Sequence, residues 1–415
     1  MADGTGQRDD AAPPPGAAVP GPPQAGLATV LREWGRIGCT GFGGPPAHIA
    51  LLRRLCVDRR GWLDAREFED AIAVCNLLPG PASTQLAIFC AWRVRGRLGA
   101  LAGGLAFIVP GLVLILALSV LFLAGNPPAW VQGAGAGAGA AVAAVAVQAG
   151  WSLTEPSWKR VAGSRSRRVR WSAYVLAGGA AAATIGPWLV LVLLGCGVIE
   201  LAVHHHAQEG GPRAIVLLPL LAARAAGPAR AIAAAAGAGV LLPVAWTGLK
   251  VGALSFGGGF VIIPLMQADA TSHHWMTHAQ FLNGVALGQV TPGPVVQTVA
   301  TVGYAAAGIG GGLLAAVIAF FPSFAFVLAG ARHFGALRGS SRVQAFFGGA
   351  GPAAIGAILG SAILLARALS QPWQYAVLAA AIVLLLALRR GVVLTLLAAG
   401  AVGVIIALAG GPLPH

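Results

Sequence analysis

The 415-residue sequence predicts an all-α integral membrane protein, an inverted-repeat transporter fold with re-entrant or broken helices, and three observations carry that expectation. Apolar residues make up 57% of the chain and charged residues only 10%, too little charge for a surface that faces water on all sides. Two interrupted segments recur: Gly-Cys-Thr-Gly-Phe-Gly-Gly at 38–44 is echoed by Gly-Ala-Leu-Ser-Phe-Gly-Gly at 252–258, and Leu-Pro-Gly-Pro at 78–81 by Thr-Pro-Gly-Pro at 291–294. Paired Gly/Pro breaks in two halves point to a binding site. Finally, the basic residues change sides between the halves. The first half carries Arg53, Arg54, Arg59 and Arg60, then Arg93, Arg95 and Arg97, then a run over 159–170, with none around 125–130. The second half has no Lys or Arg between Lys250 and Arg332, and regains them at Arg332, Arg338 and Arg342. Because Lys and Arg collect on cytoplasmic loops, this reversal predicts an inverted duplication.

Taken in order, residues 1–25 are rich in Pro, Gly and Ala, lack a long apolar stretch, and are expected to form a disordered cytoplasmic tail. The first repeat is expected over 26–203, a connecting segment with one extra span over 204–245, and the second, inverted repeat over 246–411. Residues 26–54 either cross the membrane or turn back at the break around 41–46. Asp64-x-x-Glu67 and Thr277-x-x-Gln280 have the spacing of capping boxes, in which side chains and backbone amides satisfy one another. Trp62 and Trp275 precede them, at the depth an indole prefers. The arms 67–77 and 82–92 flank Pro-Gly-Pro. At ~1.5 Å per residue each reaches roughly half-way across a ~30 Å core, which predicts a re-entrant hairpin. Residues 98–154 contain no charged side chain, room for two spans of ~20 residues. Further spans are expected at 231–249, 312–331, 343–365 and 391–408, with shorter ones at 171–185, 188–203 and 373–388. Gly135 and Gly139, in a Gly/Ala alternation, are expected to serve close helix packing.

The net charge of +14 sits in short clusters between apolar runs, which excludes a nucleic-acid face and instead places those loops in the cytoplasm of a multi-pass protein with the lipid bilayer as its solvent. The five cysteines form no C-x-x-C pair, so neither a zinc site nor a disulfide framework is indicated. His204-His205-His206 and His273-His274-x-x-x-His278 have no nearby Cys to complete a ligand set and read as solvated loop ends; no metal or cofactor is expected.

Helices that restart after Pro81 and Pro294 offer free backbone N–H groups and a positive dipole end, a ready anion site. Ser83, Thr84 and Gln85 follow one break, Gln297 and Thr298 the other, and these neutral groups donate to oxyanions without burying a charge. Gly43, Gly44, Gly80, Gly257, Gly258 and Gly293 allow the backbone to approach a ligand closely. After Asp269 the sequence contains no Asp or Glu. Carboxylates within reach of the membrane are therefore Glu33, Glu67, Glu69, Asp70, Glu200 and Asp269. Glu67, Asp70 and His48 are the candidates for coupling to protons. A membrane-embedded enzyme would need a catalytic constellation at membrane depth, which the carboxylate-free final third does not supply.

Four stretches, Phe-Gly-Gly-Pro-Pro-Ala-His-Ile at 42–49, Leu-Leu-Pro-Gly-Pro-Ala-Ser-Thr-Gln-Leu-Ala at 77–87, Phe-Gly-Gly-Gly-Phe-Val-Ile-Ile-Pro-Leu at 256–265 and Thr-Pro-Gly-Pro at 291–294, make the chain resemble the chromate ion transporter family in its long, two-domain form. The resemblance runs from about residue 27 to 403. It implies a bacterial inner-membrane exporter of chromate, a tetrahedral dianion shaped like sulfate. A sulfate transporter or an anion channel is the alternative, and a homodimer is left open. Gln280 and Asn283 depart from the family pattern, which is often acidic there; that weighs against a coupling scheme needing carboxylates in both halves.

Overall fold

A computed structural model describes residues 25–76, 78, 80–123, 125, 127–184, 189–209, 239–255, 262–330 and 340–414, and no strand occurs among them. The first half comprises α1 (Leu27–Thr40), α2 (Pro45–Arg53), α3 (Ala65–Cys75), α4 (Ala82–Phe122), α5 (Ala129–Lys159), α6 (Arg165–Thr184) and α7 (Leu189–Glu209). The second half repeats the series as α8 (Leu241–Leu254), α9 (Ile262–Ser272), α10 (His278–Val290), α11 (Val299–Gly330), α12 (Ser341–Arg367), α13 (Pro372–Ile382) and α14 (Val392–Leu408). Residues 210–238, the middle of the expected connecting segment and the first part of the 231–249 candidate span, lie outside the described residues, while 204–209 belong to α7 and 241–245 to α8.

Among the described residues four helices are long and apolar enough to cross a membrane: Ala82–Phe122, Ala129–Lys159, Val295–Gly330 and Ser341–Arg367. Large apolar side chains such as Leu98, Val113, Val317, Phe321, Leu394 and Ile405 stand exposed on the exterior, which suits lipid and not water. The chain is therefore a helical membrane protein.

Two of the long helices are each two helices joined at a sharp break. In α4 the break is Arg95 (φ −143°, ψ 23°) and Gly96 (φ 62°, ψ −152°); in α11 it is Ala307 (φ −151°, ψ 33°) and Gly308 (φ 64°, ψ −157°). That second conformation is open essentially only to glycine. Fifteen residues separate Pro81 from Gly96 but only fourteen separate Pro294 from Gly308. The shorter path is made up by a 3₁₀ turn at Val295–Thr298, which rises ~2.0 Å per residue where an α-helix rises ~1.5 Å. The loop ahead of each break is thus a re-entrant hairpin, and its open end in the first half is closed by Glu67 on α3, which pairs with Arg93 through both carboxylate oxygens (Nη2 to Oε2 3.2 Å).

That pairing corrects the expected capping box at α3. Asp64 accepts from the Glu67 amide at 2.7 Å, but the Glu67 carboxylate turns across to Arg93 and does not close the box. Thr277 and Gln280 complete theirs in both directions. The first arm starts earlier than the expected residue 67, at Ala65, because Asp64 is the residue that caps α3; the second starts at Ala82 as expected.

Residues 26–54 fold back on themselves. Glu33 on α1 receives Arg59 and, at 2.8 Å, Arg60 from beyond α2, and Trp34 stacks on Trp62 with ring centroids 6.0 Å apart. The second half folds back likewise: Asp269 on α9 accepts from Thr247 at 2.6 Å and Lys250 at 2.7 Å on α8.

The halves are inverted and interlocked. Beyond their breaks α4 and α11 run antiparallel, since Gly104 abuts Phe324 while Leu116 abuts Gly312. Helix α5 packs on α12, α13 and α14, and α12 packs in turn on α6 and α7. Lipid offers no hydrophobic drive for this association, so close approach supplies it. Gly133 and Gly137 meet Gly403 and Ala399 of α14, whereas Gly135 and Gly139 face Asn283 and Leu282 of α10. A two-residue alternation on a helix thus serves two neighbours at i, i+4 spacing.

Arg97 and Gly310, both exposed just past the two breaks, are predicted to lie on opposite faces of the membrane. Single cysteines introduced there, with exposed Cys39 replaced by serine, should be labelled by an impermeant maleimide from opposite sides of oriented vesicles. Labelling of both from one side contradicts the inversion.

Candidate functional site

Both hairpin tips must pass non-helical backbone through a region without water, so their amides and carbonyls need protein partners. The first tip turns at Gly80 (φ +118°) and the second at Gly293 (φ +96°), conformations that favour glycine. A short chain of hydrogen bonds joins them. Ser83, in the first turn of α4, meets His48 Nδ1 at 3.3 Å. His48 Nε2 donates to the carbonyl of Gly41 at 2.9 Å, and the Gly293 amide donates to the same carbonyl at 3.0 Å. His48 is fully buried, and Phe107 of α4 meets its ring edge-on, centroids 5.0 Å apart.

Each tip is wedged against the opposite repeat. A methyl group built on Gly80 would sit 3.2 Å from Ser323 Oγ of α11, 3.4 Å from the Gly252 carbonyl of α8, and 2.6 Å from Gln85 Nε2. On the other side a methyl on Gly111 of α4 would lie 2.0 Å from the Pro292 carbonyl and 2.5 Å from Gln297 Oε1. Gln85 and Gln297 thus occupy equivalent places, each beside its own tip glycine. Gly43 is exposed and Gly44 half-buried; Gly44 faces the Val295 side chain, so the first glycine run borders the second tip. Gly257 and Gly258 lie outside the described residues.

The polar groups divide by availability. Thr84 Oγ1, Ser255 Oγ and Ser323 Oγ are buried and have no hydrogen-bond partner among the described residues. The amides of Thr84 and Gln85 return to the Pro81 carbonyl. Gln297 spends its amide nitrogen on Thr291 Oγ1 at 3.0 Å and the Pro292 carbonyl at 2.8 Å, and its Oε1 is left without a partner. Gln297 therefore presents an acceptor, not the donor that the sequence suggested. Thr298 turns its hydroxyl onto the Val295 carbonyl at 2.7 Å and packs against Gly288. Pro81 and Pro294 cap their segments without donating.

Glu67 pairs with Arg93, Glu33 with Arg59 and Arg60, Glu69 with Arg53 at 3.3 Å, Glu200 with Arg170 at 2.8 Å, and Asp269 with Lys250. Glu67 marks the open end of its hairpin, and Asp70 lies half-buried one turn further along α3. Of the coupling candidates only His48 reaches the tips. No group of three or more metal-ligating side chains forms among the described residues; His273 stacks on Trp275, centroids 4.7 Å apart.

The sequence reading included Gly41 in its first glycine run but missed Gly111, Ser255 and Ser323. A signal for two of them was present: Pro110-Gly111 and Pro322-Ser323 stand at equivalent points of α4 and α11. Ser255 matches Gly41 in backbone as well, with φ, ψ of −76°, 76° against −78°, 68°.

Antiparallel repeats whose broken helices present linked tips at membrane depth define a transport protein. The chromate transporter family profile matches residues 28–201 and 242–404, and the chain belongs to that family. It is 33% identical over 396 residues to a chromate transport protein of Pseudomonas aeruginosa, covering 92% of this chain and 93% of that one. It is 30% identical over 355 residues to a chromate transport protein of Cupriavidus metallidurans (82% and 83%), and 28% identical over 350 residues to a probable chromate transport protein of Synechococcus elongatus (83% and 86%). No solved structure matches the chain.

Gly80→Ala places a side chain at positive φ against three neighbours and is expected to cost about 1–3 kcal/mol. Its melting temperature in detergent should fall by roughly 2 °C or more, while Gly310→Ala, with open space around it, leaves it unchanged. Equal melting temperatures for both variants contradict the tip geometry.

Proposed function

We propose that the protein exports chromate from the cytoplasm across the bacterial inner membrane by alternating access, with its N-terminus in the cytoplasm. The observation that carries this reading is the pair of buried hydroxyls without partners, Thr84 and Ser323, beside tips tied together through His48 and Gly41. A buried hydroxyl left unsatisfied costs about 1–3 kcal/mol, and a hydrogen bond to a charged ligand recovers about 1.5–3 kcal/mol. A tetrahedral dianion lodged between the tips would accept from these hydroxyls, from the Gln85 side chain, and from first-turn amides such as those of Val295 and Val296. The relatives named as chromate transport proteins support chromate as that dianion.

The construction supports alternating access: the tips lean on the opposite repeat, and rocking one repeat against the other would open the centre to each side in turn. The clusters at Arg59–Arg60 and 159–170 assign their loops to the cytoplasm. The driving force is a proton gradient or exchange for another anion, with His48, the titratable group at the tips, as proton carrier in the first case.

Inverted vesicles should accumulate chromate, and sulfate should compete weakly. Thr84→Val and Ser323→Ala, each at normal membrane abundance, should raise the KM for chromate about tenfold, the equivalent of ~1.4 kcal/mol. Unchanged KM in both variants would reject the site; uptake driven only into right-side-out vesicles would reject export; stronger competition by sulfate than by chromate itself would reject the substrate.

A further inference from the structure

Away from the tips, a cavity of about 390 Å³ opens between the C-terminal ends of α6 and α12, helix α9 and the start of α10. Its lining combines apolar Ala182, Pro264 and Leu364 with the polar side chains of Gln267, His278 and Arg367. Gln267 is only 5% exposed, and its Oε1 has no hydrogen-bond partner among the described residues. Arg367 is exposed, in the last turn of α12, and makes no ion pair among the described residues. No carboxylate lines the cavity.

The position fixes the ligand's surroundings. The start of α10 corresponds to the start of α3 in the first half, and the end of α12 to the end of α5, both of which lie by basic clusters; inversion puts this cavity on the opposite, extracytoplasmic face. Trp275 and Trp373 flank it in sequence, at the depth where indoles meet headgroups. A cation and an amide beside an apolar lining, at the level of the headgroups, match a phosphate ester with hydrocarbon attached.

We propose that this cavity binds a phosphate-class tetrahedral oxyanion, supplied by the headgroup of an anionic phospholipid of the outer leaflet. Arg367 pairs with the phosphate, His278 hydrogen-bonds to its oxygens, the free Oε1 of Gln267 accepts from a hydroxyl of the glycerol headgroup, and the apolar lining receives the start of the acyl chains. The assignment stands apart from the choice of transported anion, because its readout is lipid binding and not flux.

The test is native mass spectrometry of the full chain released from detergent, titrated with phosphatidylglycerol and, separately, with inorganic phosphate. Wild-type protein should retain phosphatidylglycerol, with affinity reduced tenfold or more in Arg367→Gln and in Gln267→Leu; Arg367 is at an exposed helix end, so its variant serves even if the buried substitution fails to fold. Inorganic phosphate at millimolar concentration should not displace the lipid. Arg367-dependent binding of inorganic phosphate without lipid retention would uphold the oxyanion site and overturn the lipid as its source. Absence of binding by both probes, or equal binding by wild type and Arg367→Gln, overturns the site and leaves Arg367 as a partner of the helix dipole only.

Discussion

The carbonyl of Gly41 accepts from His48 and from the Gly293 amide, and much of the architecture follows from the need for such a bond. A chain that breaks its helices at membrane depth exposes amides and carbonyls that hydrocarbon cannot satisfy, at several kcal/mol per group. Within one repeat there is too little backbone near each tip to meet that demand. The second tip therefore reaches the first repeat's break at Gly41, and the first tip settles against Gly252 and Ser323 of the second repeat. Interlocking of the halves is the consequence. Each tip thus touches the opposite repeat, the contact on which the proposed alternating access relies.

The repeats share a backbone more closely than they share side chains. The two breaks agree to within about ten degrees in each dihedral, yet Ile262 stands where His48 does, Ser323 where Gly111 does, and Ser255 where Gly41 does. The outer ends differ in the same way: Glu67 reaches across its hairpin to Arg93, whereas Gln280, at the equivalent place, stays in the neutral capping box with Thr277. A charged pair suits the leaflet where arginines collect, and a neutral cap suits the other. The fold is thus nearly symmetric in what the backbone requires and asymmetric in what the two solutions and the ligand require.

This division explains what the sequence made legible. Helices, breaks and inversion were readable because they rest on patterns that a membrane enforces strictly: apolar length, paired Gly/Pro interruptions and the sidedness of arginine. The close-packing role of Gly135 and Gly139 was readable for the same reason. Side-chain partnerships were not. Nothing local distinguishes a Glu67 that closes a capping box from one that reaches Arg93, since both bonds start from the same residue and the winner is set by how α3 lies against α4. Gln297 looked like a donor because its amide has both kinds of atom, and only the position of Thr291 and Pro292 shows that the donor is taken. Ser255 lies in the recurring Gly-Ala-Leu-Ser stretch and Ser323 follows a Pro matched by Pro110, but neither pattern tells what the hydroxyl meets; that comes from the opposite repeat.

A site made of neutral donors has an energetic logic for a transported dianion. An arginine held at the tips would attract the anion strongly in a low dielectric, and that attraction would have to be undone at every release. Hydroxyls and amide dipoles offer about 1.5–3 kcal/mol each to a charged partner, enough in combination to offset part of the ligand's lost hydration and small enough singly to be released one at a time. Rocking the repeats withdraws Ser323 from the Gly80 tip, because the two belong to different halves, so on the proposed reading the same motion that opens the site also weakens it. Arginines are instead kept at the hairpin ends, paired with Glu33 and Glu67, where they set orientation in the membrane without entering the path of the ion.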